Sequence, residues 1–274
     1  MKVVKTRYPD RRRILIKVQD VMSKSPVFIK GTEFMTKARQ LIRDRHFRSL
    51  PVVDDEKRVM GLITRQDVLR VTSTKSNVTV DGFALECPTI TPDMDMLEVA
   101  QIMLTAKLGR LPVVKSVHDR TLVGIISIVD IFKHINLDRV PVKMVGEVMS
   151  TDVKVCHPKD PVSKVWANMD EFGYSGFPVV KRGKLIGMVT RRDIIKAGYA
   201  RMGKENEHGG RMSSSPPVEK IMSTPVYTVH PGTSLKEAAE LMLTHDIGRL
   251  PVIENDKLVG IVDRYDLIRG YIRV

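Results

Sequence analysis

The chain of 274 residues is 42% hydrophobic and 28% charged, enough apolar material for a sizeable core and far from the composition of a disordered segment. Lys and Arg number 45 against 32 Asp and Glu, a formal charge of +13 that invites anionic partners without choosing among nucleic acid, a membrane surface and a phosphorylated small molecule. Cys87 and Cys156, in no CxxC or CxxH spacing, exclude a disulfide framework and a zinc knuckle, and no apolar window reaches the ~18 residues of a membrane span, so a cytoplasmic protein is expected.

Residues 1–16 read as a basic appendage: over the first twenty positions seven Lys and Arg face only Asp10 and Asp20. Beyond it, one unit recurs four times. RSLPVVDDEKRVMGLITRQDVLR from Arg48 aligns with GRLPVVKSVHDRTLVGIISIVDIFK from Gly109, SGFPVVKRGKLIGMVTRRDIIK from Ser175 and GRLPVIENDKLVGIVDRYDLIR from Gly248. The interval from Gly to Asp is six in every copy, at Gly61–Asp67, Gly124–Asp130, Gly187–Asp193 and Gly260–Asp266. Nine residues before a Gly or Pro that lies twenty before the Pro-Val pair sits Met22, Phe83, Met149 or Met222, and the three Met belong to a Val/Ile-Met-Ser triplet.

Taken in order, each unit predicts a short β-prone run (Val27–Ile29; Val226–Val229), then a helix such as the one opened by Ser234 with Glu237 three residues on, an N-terminal capping box. A hairpin follows, for example Leu250–Ile253 and Leu258–Val262, and a second helix begins near Asp263. The fold class is thus α+β, four β-α-β-β-α repeats over 17–76, 77–139, 140–200 and 218–274, with a Gly/Ser/Pro-rich polar loop over 201–217. One such unit has a small core and an uncovered sheet face, so pairing between units is expected.

The Met-Ser-x-x-Pro-Val lead-in, the Leu-Pro-Val-Val strand and the Gly-apolar-apolar-Thr/Ser-x-x-Asp ending resemble the repeated motif of the cystathionine-β-synthase (CBS) domain family, from about Lys17 to Ile272. The resemblance implies two pseudo-twofold tandem (Bateman) modules, an arrangement similar to the gamma subunit of AMP-activated protein kinase. It further implies a non-enzymatic, energy-sensing regulatory protein that binds AMP, ADP, ATP or S-adenosylmethionine between paired repeats and regulates an unknown protein partner in trans. No catalytic cofactor is implied; Mg²⁺ enters only alongside ATP. Carried over by position, Asp67, Asp130, Asp193 and Asp266 hold the ribose, while Thr64, Ser127, Thr190, Arg110 and Arg249 meet phosphate. The small residues Ser49 and Gly176, at the position of Arg110 and Arg249, leave room for adenine. In the fourth copy Asp263 replaces the hydroxyl, where a carboxylate repels phosphate.

The residues have a plainer reading too. Thr-x-x-Asp before a helix is itself a capping box, and Arg48, Arg65, Arg191, Arg192 and Arg264 read equally well as solvated strand edges or helix turns. His157 and His230 precede the Pro of their units, His46 and His245 lie at helix ends, and no pair has metal-ligand spacing. Trp166 and most of the 15 Met fall on apolar helix faces, as core or module-interface residues. No Ser-His-Asp or Cys-His constellation, Gly-rich phosphate loop or dinucleotide fingerprint occurs, so no enzyme is expected. The alternative function is a nucleic-acid-binding protein or scaffold using its basic surface, with the repeats as architecture; 5% aromatics leave it little for base stacking. Two modules could close within one chain or pair across a homodimer.

Overall fold

The apolar alternation and hairpin turns of each unit form the same small sheet four times over in the computed structural model, which describes residues 15–45, 47–70, 77–137, 143–199 and 215–272. The basic appendage up to residue 14, His46 and the polar loop over 201–214 lie outside the described residues.

In the first unit a short helix α1 (Val18–Val21) leads to β1 (Ile29–Lys30), helix α2 (Met35–Arg45), strands β2 (Ser49–Val53) and β3 (Val59–Thr64), and helix α3 (Arg65–Arg70). The second holds α4 (Met96–Ala106), β4 (Arg110–Val114), β5 (Leu122–Ser127) and α5 (Ile128–Lys133). The third repeats this with α6 (Val162–Glu171), β6 (Gly176–Lys181), β7 (Lys184–Thr190) and α7 (Arg191–Lys196). The fourth has α8 (Leu235–Thr244), β8 (Arg249–Glu254), β9 (Lys257–Asp263) and α9 (Arg264–Ile272). Each hairpin is antiparallel and carries one register irregularity at the same place, between the first and second residues after the Pro: Val52/Val53, Val113/Val114, Val179/Val180 and Val252/Ile253. The β-prone lead-in adds a parallel neighbour, a strand in the first unit (Ile29↔Val52) and a single bridge in the others (Ile90↔Val113, Cys156↔Val179, Val229↔Val252).

Pairing of units takes a reciprocal form. The lead-in of each unit crosses to its neighbour's second hairpin strand: Ser23 bridges Ile125 and Leu85 bridges Leu62 in the first module, and Ser150 bridges Ile261 and Ser223 bridges Met188 in the second. The recurring Met and Gly are explained by this crossing. A Cβ built on Gly124 would lie 2.5 Å from Met22 Sδ, so the thioether fills the space that glycine leaves. At Gly61 that space is taken by the Leu85 carbonyl, 2.5 Å away, and by Ala84 Cβ, which is why Phe83 can replace Met in that one lead-in.

The modules then join edge to edge. The second and fourth units share one hydrophobic core, in which Val99, Met103, Ile131 and Phe132 pack with Met242, Leu250, Leu267 and Ile268. The first and third units keep separate cores, built around Met35, Ile42 and Val68 and around Val165, Met169 and Ile194. No helix among the described residues is long and apolar enough to cross a membrane.

Candidate functional site

The motif carboxylates all sit in the first turn of a helix, where they reach back to the residue that starts it. Asp67 Oδ2 accepts from Thr64 N (2.9 Å), Asp130 Oδ2 from Ser127 N (2.9 Å), Asp193 Oδ2 from Thr190 N (2.8 Å) and Asp266 Oδ2 from Asp263 N (3.0 Å). The Ser127 and Thr190 hydroxyls donate to the same oxygens at 2.6 Å and accept the Asp130 and Asp193 backbone N–H at 3.3 Å; Thr64 makes the same two bonds. These hydroxyl protons are committed to carboxylate, so the geometry seen is that of the capping box. Each box engages Oδ2, and at Asp266 the other oxygen, Oδ1, accepts from Arg269 Nη1 at 3.4 Å. At Asp193 that oxygen accepts from Ser223 Oγ of the fourth unit at 3.2 Å. Asp67 is buried, at 6% exposure.

The fourth copy differs chemically. Asp263 Oδ1 accepts the N–H of Tyr265 (2.8 Å) and of Asp266 (3.2 Å), which makes it a competent N-cap. Two carboxylates now share one helix start, and burial, followed by the Asp263 charge, pushes Asp266 up to about 6.

Arginines of the other three units lie within electrostatic reach of Arg48. Arg48 lies within electrostatic reach of Arg110, Arg191, Tyr265 and Asp263, and Arg249 of Asp263, Arg48, Arg191 and Asp266. Desolvation by the surrounding protein is the first cause that pushes both Arg48, which remains exposed at the surface, and Arg249 below the ordinary arginine value. Arg249 donates Nη1 to the Gly176 carbonyl at 3.0 Å and Nη2 to Ser175 Oγ, and its Cδ lies 3.5 Å from where a Gly176 Cβ would be. Gly176 therefore accommodates Arg249, and Ser49 is buried opposite Thr64 in the β2–β3 ladder. The Tyr265 hydroxyl covers Gly109 so closely that any Cβ there would collide with it.

Arg48 and Tyr265 are the residues that motif reasoning undervalued. Arg48 stands one position before the slot of Arg110 and Arg249, with no basic counterpart in the other units. Tyr265 occupies a slot held by Gln66, Val129 and Arg192 in the other copies, so the repeat gave no signal for it. Nor are Arg65, Arg191 and Arg264 the exposed helix turns that sequence allowed. Arg191 donates to Asp170, to the Met169 carbonyl and to the Tyr174 carbonyl; Arg264 donates to the Ile247 carbonyl (3.0 Å) and lies over the Phe132 ring. Arg65 and Arg191 enclose Trp166, at 4.4 and 5.3 Å from the ring centroid, which places that residue at the seam between first and third units.

A cleft of about 410 Å³ lies in the second module, between β7 and the lead-in of the fourth unit, with Leu185, Ile186, Val226 and Ile253 as walls and Lys184 and Asp256 at its rim. Among the described residues no group of three or more His, Cys, Asp and Glu side chains could hold a metal ion.

Four small α+β units paired by exchanged lead-ins, each closing on a capped Asp, define a tandem-repeat fold, and the CBS domain profile matches residues 18–73, 84–137, 145–200 and 218–273. The chain belongs to the CBS domain family. It is 27% identical over 272 residues to the uncharacterized protein MJ1225 of Methanocaldococcus jannaschii, covering 91% of this chain and 96% of that one. The crystal structure of MJ1225, described as a proposed archaeal homolog of g-AMPK, superposes with a TM-score of 0.72 at 26% identity over 93% of this chain and 100% of that one. An uncharacterized conserved protein from Pyrococcus horikoshii has the same fold, with a TM-score of 0.66 at 21% identity over 93% of this chain and 100% of that one. The CBS pair of MJ0100, solved in complex with 5-methylthioadenosine and S-adenosyl-L-methionine, matches 47% of this chain and 95% of that one at 24% identity, with a TM-score of 0.40.

Proposed function

We propose that this chain is a non-enzymatic regulator that binds an adenosyl ligand, AMP, ADP, ATP or S-adenosylmethionine, between paired repeats and signals to a protein partner in trans. The observation that carries the reading is that Arg110, Arg191 and Arg249, from three units, lie within electrostatic reach of Arg48 of the first, with Asp263 and Asp266 near Arg249. Like charges gathered at partly buried positions cost free energy that an anion offsets, and a concave site strengthens the attraction. In this reading Oδ1 of Asp67, Asp130 or Asp193 takes the ribose hydroxyls, with the phosphates directed at the arginines. Thr64, Ser127 and Thr190 then serve by holding those carboxylates, their protons being already given to Oδ2. Asp266, paired with Asp263, is the poorest of the four because its surroundings already hold an excess of negative charge.

Ligand touching two units stabilises one packing of the repeats over another, and a partner that distinguishes the packings reads the difference. The kinship with MJ1225, proposed as a homolog of g-AMPK, supports regulation of this kind. Comparing AMP with adenosine tests the role of the arginines. Removal of the phosphate weakens binding by at least tenfold if the cations receive it, whereas equal affinities contradict the assignment. The basic surface supports a nucleic-acid reading only if duplex binding is steeply salt-dependent and disappears when residues 1–13 are deleted.

A further inference from the structure

We infer that the two modules are unequal and that the cleft ending at Asp193, in the second module, is the one that receives the nucleoside, because a charge pair on the module's internal dyad holds it open while the first module is zipped shut. The inference rests on the adenosyl reading above and adds which cleft fills first and which residues decide it. Alignment on Gly61, Gly124, Gly187 and Gly260 makes Arg58 and Thr121 dyad mates in the first module and Lys184 and Lys257 their counterparts in the second.

In the first module the two hairpins pair across the dyad. Arg58 bridges Thr121, Val59 N donates to the Arg120 carbonyl at 2.9 Å, and Leu122 N donates to the Lys57 carbonyl at 2.9 Å. Arg120 Nε adds a bond to the Val59 carbonyl at 3.1 Å, laying its side chain along the seam. Thr121 can face Arg58 at no electrostatic cost. In the second module the mates are both lysines, and like charges directly opposite one another oppose strand pairing. Among the described residues no hydrogen bond joins the two hairpins at this rung of the second module.

The cleft of about 410 Å³ opens at that place, Lys184 forming part of its rim. Its walls of Leu185, Ile186, Val226 and Ile253 suit the faces of a planar base. The lining continues through Thr224, and the preceding residue, Ser223, donates to Asp193 Oδ1 at 3.2 Å. Asp193 does not itself line the cleft, but its carboxylate is tied through Ser223 to the lining residue Thr224, and Arg191 stands two residues before it.

Calorimetric titration of the full chain with AMP, for the wild type, Asp193→Asn and the double variant Lys184→Arg/Lys257→Thr, tests the inference. Asp193→Asn and the double variant, which copies the zipped Arg/Thr pair, each weaken binding at least tenfold. Hydrogen exchange on the wild type gives a readout that needs no variant: AMP slows the amides of 185–189 and 226–229 and leaves 59–63 unchanged. Retention of wild-type affinity in Asp193→Asn or in the double variant, or protection confined to 59–63, overturns the inference and leaves the adenosyl reading standing. Absence of AMP binding by the wild type, together with absence of binding to ATP and S-adenosylmethionine, overturns both.

Discussion

The guanidinium carbon of Arg65 lies 4.4 Å from the centroid of the Trp166 ring, across the seam that joins the first unit to the third. Arg191 approaches the same ring from the third unit's own side, and both arginines share one carboxylate, Asp170. Two cations on one anion leave this seam under-neutralised, and burial, first among the causes, pushes Arg65 down to about 10. The opposite seam, between second and fourth units, is a continuous apolar core. Of the two, the Trp166 seam is the one whose packing ionic conditions can alter.

Arg191 and Arg65 are therefore not equivalent. Arg191 satisfies Asp170 and two backbone carbonyls, whereas Nε and Nη2 of Arg65 are buried without a hydrogen-bond partner. Arg191→Ala costs about 2–4 kcal/mol, while Arg65→Met, which keeps the stem over the indole, stays within about 1 kcal/mol. Trp166 is the single tryptophan, so its fluorescence in a denaturant titration reports both. Equal losses for the two variants contradict the hydrogen-bond assignment.

The carboxylate pair of the fourth unit makes stability depend on pH in a definite sense. Asp266 is raised from 3.8 to about 6, so the folded state holds its proton more tightly than the unfolded chain does. Its contribution is fully present below about pH 4 and is lost as pH rises to about 6, a difference of up to about 3 kcal/mol. Asp263→Thr, restoring the hydroxyl of the other copies, flattens this dependence, as denaturation midpoints at pH 4, 5, 6 and 7 will show. A wild type and variant that run parallel across that range contradict the coupling.

Capping accounts for the hydroxyls whatever the ligand. Thr190→Ala and Ser127→Ala each lower stability by about 1 kcal/mol, and Ser exchanged for Thr at either place changes it little. Thermal unfolding measures this directly, and a Thr190→Ala variant as stable as the wild type removes the capping account.

The four motif glycines grade by what they touch. At Gly61 the obstacle is the Leu85 backbone carbonyl, which cannot swing aside, whereas at Gly187 it is the Met222 thioether, whose Sδ lies 2.5 Å from the ideal Cβ. Gly61→Ala therefore destabilises more than Gly187→Ala, the latter costing about 1–3 kcal/mol through repacking. The reverse order in denaturation midpoints refutes the lead-in exchange as the reason for glycine.

Repetition made the fold legible: an interval of six residues seen four times specifies a hairpin, a cap and a helix more firmly than any one copy does. Ser234 with Glu237, and the hairpin of the fourth unit, follow from local spacing because caps and turns are made by near neighbours. Which units would meet across the chain was not legible, since Arg65 near Trp166 and Tyr265 over Gly109 are contacts between residues with no common spacing. For the same reason Gly176 read as room for a base when the space beside it belongs to Arg249. Motif position told which side chains cap helices; only the assembled units bring Arg110, Arg191 and Arg249 within electrostatic reach of Arg48.

The central claim is that the repeats form an adenosyl-binding sensor. Isothermal titration of the purified chain with AMP, ATP and S-adenosylmethionine tests it most directly. Saturable binding of at least one of them below millimolar concentration is the predicted result, and no binding below millimolar to any of the three contradicts the account.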